Sequence, residues 1–163
     1  MGTSSKLPQS VGKLAKALKV PVVVINMKGY YLQSPIWNLS IRKEVRLEAT
    51  ITQLYTAAEL TKATTEQVNE TLQQYLTYDE YAYQYETGQK IPDRKRAEGL
   101  ELVLYQCPGC NREFTITSRD ADLHCNHCGE QWHMTELGRL ANVRSTKELE
   151  IPKWYELVDQ GCG

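Results

Sequence analysis

Two cysteine pairs constrain this chain more than any other feature. They read Cys107-Pro-Gly-Cys110, then fourteen residues, then Cys125-Asn-His-Cys128-Gly129. A Cys-x-x-Cys stretch can turn so that both sulfurs face one point, and two such turns supply the four soft ligands of a tetrahedral thiolate site. Gly109 and Gly129 stand where turns of this kind demand unusual backbone angles. Residues 113–117 read as a strand and Asp120-Ala121-Asp122 as a turn, which places a hairpin between the pairs, the layout of a zinc ribbon. The pattern predicts that Cys107, Cys110, Cys125 and Cys128 hold one structural Zn2+. Zinc is preferred to iron because paired turns close all four positions and imply no redox work. A ribbon of this length cannot bury enough surface to fold alone. Its stability is expected to come from the metal, worth roughly 10–16 kcal/mol in comparable small zinc domains.

Three alternatives compete with this assignment. All three histidines, His124, His127 and His133, lie in the same stretch, and His127 is the natural substitute for a cysteine ligand. A redox Cys-x-x-Cys pair normally opens a helix in a thioredoxin-like unit, and two pairs flanking a hairpin do not fit that. Nucleic-acid binding needs a cationic groove and stacking aromatics. From Cys107 onward there are six basic and nine acidic side chains, so the charge argues against it. The fifth cysteine, Cys162, is left over as a free thiol between two glycines.

The chain has 163 residues, 41% of them hydrophobic, and a formal net charge of -1. That is enough apolar material for a real core and gives no general attraction to nucleic acid or lipid. Ten tyrosines against one phenylalanine imply many half-wet aromatic contacts. No run of about 18 apolar residues spans a membrane. The opening MGTSSKLPQS lacks the apolar core of a secretory signal, and Lys6 replaces the hydroxyl residue of a myristoylation start, so a cytoplasmic protein is expected.

Along the chain, Val11, Leu14, Ala15 and Leu18 share a helical face after Pro8, with lysines opposite. Val22-Val23-Val24-Ile25 is β-branched throughout and predicts a strand covered on both faces in a parallel or mixed sheet. Residues 27–43 read as a loop. Over residues 44–52, Val45, Leu47, Ala49 and Ile51 alternate with polar side chains, predicting a half-buried strand with those four inward. Thr64-Thr65-Glu66-Gln67 is a capping signal for a helix lined by Val68, Leu72, Tyr75 and Leu76. Tyr78, Tyr81 and Tyr85 continue on a helical face. Residues 87–99 lack periodicity, residues 100–105 read as a strand leading into the cysteines, and Ile151-Pro152-Lys153-Trp154 starts a short helix that packs back through Trp154.

The ordered succession from Gly2-Thr3 and Ser5, through the helix, to Val20-Pro21-Val22-Val23-Val24 resembles part of the 1-acylglycerol-3-phosphate (lysophosphatidic acid) acyltransferase family. In that family a Phe-Pro-Glu-Gly-Thr-Arg-Ser block precedes a helix and a Val-Pro strand. Residues 36–51 and 65–76 resemble its later strand and closing helix, and the ribbon followed by Ile-Pro-x-Trp-Tyr-Glu resembles an appendage of some bacterial members. The resemblance implies an α/β fold over residues 1–95, a linker and lead-in strand at 96–106, the ribbon at 107–145 and a docking segment at 146–163. It implies a parent activity that moves an acyl chain from a thioester carrier to lysophosphatidate at the cytoplasmic membrane face. Gly2 and Thr3 occupy positions tied to the glycerol-phosphate site. The family's catalytic His-x4-Asp motif has no counterpart, since no histidine precedes His124, and Ser4 stands where the family has arginine. No catalytic residue carries over, and this chain alone is expected to bind zinc without turnover. The expected partners are a missing N-terminal half or another protein, or a second copy, with acyl carrier and lysophospholipid engaged only by the complete enzyme. The rival expectation is a non-enzymatic zinc-ribbon adaptor or nucleic-acid-binding protein.

Overall fold

The computed structural model describes residues 2–38, 42 and 44–160, which leaves Cys162 outside the described residues. These residues form helices and two small antiparallel sheets, an α/β mixture, in two compact units. One unit comprises Thr3–Lys28 and Leu47–Asp79; the other comprises Gly2, Gly29–Arg46 and the chain from Glu80 onward. No helix among the described residues is long and apolar enough to cross a membrane.

In the first unit, helix α1 (Ser10–Leu18) ends at Lys19, which adopts the left-handed conformation at φ 53°. Strand β1 (Val22–Lys28) follows. The four-residue helix α2 (Tyr30–Gln33) then belongs to the second unit, and β2 (Glu48–Tyr55) returns to the first to pair with β1. Helix α3 (Ala57–Lys62) opens with a capping box between Thr56 and Glu59, and α4 (Thr65–Leu76) with one between Thr64 and Gln67. Each box satisfies two backbone groups that a helix start leaves orphaned. Val24, Leu60, Val68 and Leu72 are the buried centre, with Leu7, Val11, Ala15 and Leu54 packed round them.

The β1–β2 pairing corrects two expectations. It is antiparallel and only two strands wide, with Ile25 opposite Ile51 and Met27 opposite Ala49. Helices cover one face. On the other, Val23, Ile25, Met27 and Ile51 remain 50–70% exposed. The β-branched run is therefore covered on one side, and Ala49 and Ile51 face outward with it. Strand alternation defines two faces but not which one a helix will cover.

In the second unit, α5 (Glu80–Thr87) carries Tyr81 and Tyr85 as its sequence suggests. Residues 100–105 form no strand. Gly99 turns at φ 87° into a single 3-10 turn, Leu100–Leu102, because the chain here lies against the Trp37 carbonyl. A Cβ on Gly99 would stand 2.1 Å from that oxygen, so only glycine allows the approach. Strands β3 (Ile116–Arg119), β4 (Asp122–Cys125), β5 (Gln131–Met134), β6 (Arg139–Asn142) and β7 (Glu148–Glu150) then form one antiparallel sheet in sequence order. Helix α6 (Ile151–Gln160) follows β7 directly. Its Trp154 is fully buried, its ring centroid lies 5.2 Å from that of Trp132, and its indole N–H donates to the Gln106 carbonyl at 2.8 Å.

Candidate metal centre

The two Cys-x-x-Cys stretches fold into matching knuckles. In the first, the Asn111 N–H donates to the Cys107 carbonyl and the Cys107 N–H to the Arg112 carbonyl, at 2.8 and 2.9 Å. In the second, the Gly129 N–H donates to the Cys125 carbonyl and the Cys125 N–H to the Glu130 carbonyl, at 2.9 and 2.8 Å. Each knuckle closes on a left-handed residue directly after its second cysteine, Asn111 at φ 56° and Gly129 at φ 74°. The expectation placed the first unusual angle on Gly109, whose φ is not positive. Asparagine tolerates the left-handed region well enough to take that role.

Gly109 matters for a different reason. A Cβ there would stand 1.8 Å from Glu130 Oε2. The bare glycine lets the Glu130 carboxylate lie against the first knuckle, with Oε2 3.9 Å from Cys107 Sγ. Buried Asn142 holds that carboxylate, its amide donating to Glu130 Oε1 at 3.0 Å, while its own oxygen accepts from the Arg144 N–H and the Ser145 hydroxyl. One side chain of β6 thus fixes both walls of an open cleft of about 260 Å³ lined by Gly109, Cys128, Glu130 and Arg144.

All four sulfurs of Cys107, Cys110, Cys125 and Cys128 lie within 4.8 Å of one another. Cys107 Sγ is 3.7 Å from Cys128 Sγ, and Cys110 Sγ is 3.9 Å from Cys125 Sγ. A disulfide requires about 2.05 Å, so these thiols are not covalently paired. A tetrahedron with metal–sulfur bonds of about 2.3 Å has edges of about 3.8 Å, which the Cys107–Cys128 and Cys110–Cys125 distances match. The donor set and its geometry therefore fit a single four-coordinate metal ion.

Exposure is graded round the cluster. Cys107 and Cys125 are buried, Cys110 is intermediate and Cys128 is exposed. Burial pushes the Cys107 thiol well above its ordinary range, although the Gly109 and Cys110 N–H groups oppose the shift. Cys125 is also penalised by burial, but the Cys128 and His127 N–H groups and the Thr115 hydroxyl outweigh that and bring it down to about 6. The Cys128 thiol stands above its ordinary value. The Glu130 N–H pulls it down, and burial together with the neighbouring Cys125 and Cys110 sulfurs raises it further than that. Packing four potential anions together without a cation is unfavourable, and a metal ion removes the conflict.

Among the described residues no other group of three or more His, Cys, Asp or Glu side chains converges as these do. The histidines do not join the cluster. On the sheet face, His133 Nδ1 lies 2.6 Å from Asp122 Oδ1 and its Nε2 accepts from the Arg96 guanidinium at 3.0 Å. His124 Nδ1 lies 3.3 Å from the Gln131 amide.

Gly2 and Thr3 lie far from this chemistry in role as well as in sequence. The Gly2 carbonyl accepts from the Glu80 N–H at 2.8 Å, with Gly2 at φ 67°, whereas Thr3 forms an isolated antiparallel bridge with Asp79.

Compared with known proteins, the chain matches no family model, no curated protein and no solved structure.

Proposed function

We propose that Cys107, Cys110, Cys125 and Cys128 bind one structural Zn2+, that strands β3 to β5 and the two knuckles form a zinc ribbon, and that the ribbon stabilises a non-catalytic recognition module. The convergence of four unpaired sulfurs within 4.8 Å, two of the pairs at tetrahedral edge spacing, is the observation that carries this reading. Zinc is favoured over other soft-ligand metals because all four positions are closed by protein sulfur, leaving none for substrate. The metal would be a staple: it would hold the knuckles at one end of the five-stranded sheet while Trp132 and Trp154 fill the middle. Elemental analysis of protein purified without added metal tests the reading. About one zinc per chain is expected. Absence of metal, or four cysteines recovered as disulfides, refutes it.

We further propose, from the resemblance, that the module belongs to a glycerolipid acyltransferase-like protein whose acyl-transfer chemistry lies outside this chain. Two observations support it. The apolar outer face of the β1–β2 ribbon is what a sheet awaiting further covering structure presents. The three histidines of the sequence all lie between His124 and His133, within or beside the strands that carry the second cysteine pair, so the first unit holds no imidazole base. Assay of the purified chain with an acyl thioester and lysophosphatidate is expected to give no turnover. Clear turnover would overturn the non-catalytic reading.

A further inference from the structure

We propose that the cysteine cluster is also a peroxide-responsive switch, in which Cys128 is the site oxidised first and Cys107 resolves it to a disulfide with release of the metal. This rests on the zinc reading and goes beyond it by assigning a covalent step, a co-reactant and an order of events.

The four sulfurs are not equivalent. Cys107 and Cys125 are shut away from solvent, whereas Cys128 is exposed at the mouth of the cleft it shares with Gly109, Glu130 and Arg144. A volume of about 260 Å³ lies below the range of about 300–1,000 Å³ typical of drug-sized ligands, yet it amply exceeds a hydroperoxide. Its polar wall suits the chemistry. Arg144 has its guanidinium nitrogens 3.8 and 3.9 Å from where a Cβ on Gly129 would stand, next to the exposed sulfur. A guanidinium carries only donors, so it can stabilise negative charge growing on a departing oxygen. Glu130 is tied back by Asn142, which keeps its carboxylate against the first knuckle.

The oxidant is a small hydroperoxide, hydrogen peroxide or an alkyl analogue. The Cys128 thiolate attacks one peroxide oxygen, forming an S–O bond and breaking the O–O bond. The departing hydroxide or alkoxide takes a proton from a buffer acid, as does the hydroxide expelled in the step that follows. The product is a sulfenic acid, the reversible first rung of thiol oxidation. Cys107 Sγ lies 3.7 Å from Cys128 Sγ, within reach of a disulfide after a small shift. The Cys107 thiolate attacks the Cys128 sulfur, forming the S–S bond and expelling hydroxide. Two thiolates have lost two electrons, and the peroxide has gained them. A zinc ion left with Cys110 and Cys125 alone has lost half its ligands and leaves to solvent. A dithiol reductant together with added zinc reverses the sequence. No such step begins as easily at Cys110, which is less exposed and does not line the cleft.

The test uses the zinc-loaded chain carrying Cys162→Ser, so that the tail thiol cannot contribute. Substoichiometric hydrogen peroxide is added with a chromophoric zinc reporter, with and without a dimedone-type sulfenic acid trap, and the products are mapped by mass spectrometry. The expected result is trap confined to the Cys128 peptide, a Cys107–Cys128 disulfide when the trap is omitted, and loss of the bound zinc in step with that disulfide. A Cys128→His variant, which keeps three sulfurs and one imidazole on the metal, is expected to lose zinc to peroxide more slowly than the parent. Trap on Cys110, a Cys125–Cys128 disulfide alone, zinc retained after Cys128 is oxidised, or equal release rates in the histidine variant would each overturn the switch and leave the structural zinc site standing. Protein purified without zinc would instead overturn the reading on which the switch rests.

Discussion

Replacing Trp154 with alanine removes the residue that closes the second unit. Trp154 is fully buried on α6, its ring meets Trp132 at 5.2 Å between centroids, and its indole N–H reaches the Gln106 carbonyl at 2.8 Å. A buried tryptophan cut to alanine costs about 3–5 kcal/mol. The stranded Gln106 carbonyl, one residue before the first cysteine, adds about 1 kcal/mol or more. Against a typical domain stability of about 5–15 kcal/mol, that is a third to the whole of what holds such a unit folded. Trp154→Phe separates the two contributions. It keeps most of the aromatic area and loses the donor, so its cost is expected near about 1–3 kcal/mol. Hydrogen exchange read peptide by peptide on the zinc-loaded chain is the suitable assay, because it reports the sheet separately from the first unit. Protection in α6 and in β5 to β7 should fall in both variants, further in the alanine one, while the zinc content stays unchanged because the knuckles are closed by their own backbone hydrogen bonds. A loss below about 1 kcal/mol for Trp154→Ala would refute the packing argument, since that lies well under the range for a buried aromatic.

Zinc affinity should climb steeply with pH. Cys107 and Cys128 have raised thiol pKa values in the metal-free chain, so both must release a proton on binding zinc across the neutral range, and affinity should rise at least about a hundredfold per pH unit there. Cys125, brought down to about 6, is already a thiolate at neutral pH and adds a further proton to the dependence only below that value; competition with a chromophoric chelator at several pH values measures the slope, and a flat profile would contradict it. Gly109→Ala should push the Glu130 carboxylate off the knuckle and break its bond from Asn142, costing about 1 kcal/mol in thermal denaturation without loss of zinc.

What the sequence made legible is what local chemistry decides. The Thr64–Gln67 capping box forms as spelled, because both partners lie three residues apart and need nothing distant. The cysteine spacing brings four sulfurs together for the same reason. What it hid is decided elsewhere in the chain. The run from Leu100 to Tyr105 has strand composition, yet Gly99 meets the Trp37 carbonyl, a contact across 62 positions that local composition does not encode. Residues 87–99 look like a polar connector and beyond Thr87 have no regular structure, yet Ile91 and Ala97 are buried and the Arg96 guanidinium donates to the Met134 carbonyl and to His133. Arg42, almost fully buried, donates to the carbonyls of Leu32 and Arg96. Long arginine side chains here serve as backbone brackets, which charge counting reads as surface. Strands β5 and β6 did carry a signal, the buried alternation of Trp132 with Met134 and Leu140 with Asn142. At four residues each they are too short to separate from turns by periodicity.

The proposed metal and the tryptophan pair would address different deficits of one small sheet. Sulfur ligation would fix two loops that have no apolar side chains to bury. It does nothing for the far end of the sheet, where β6 and β7 hold no ligand. There α6 supplies Ile151, Trp154 and Val158, all buried, as the second layer that a single sheet lacks. Asn142 links the two systems, since it sits opposite Trp132 in the ladder while its side chain holds Glu130 beside the sulfurs. Under the proposed switch, chemistry at the exposed Cys128 would release the loops while the tryptophan layer keeps the sheet assembled. That combination would, under the same switch, let a zinc-held structure open and close again without unfolding throughout.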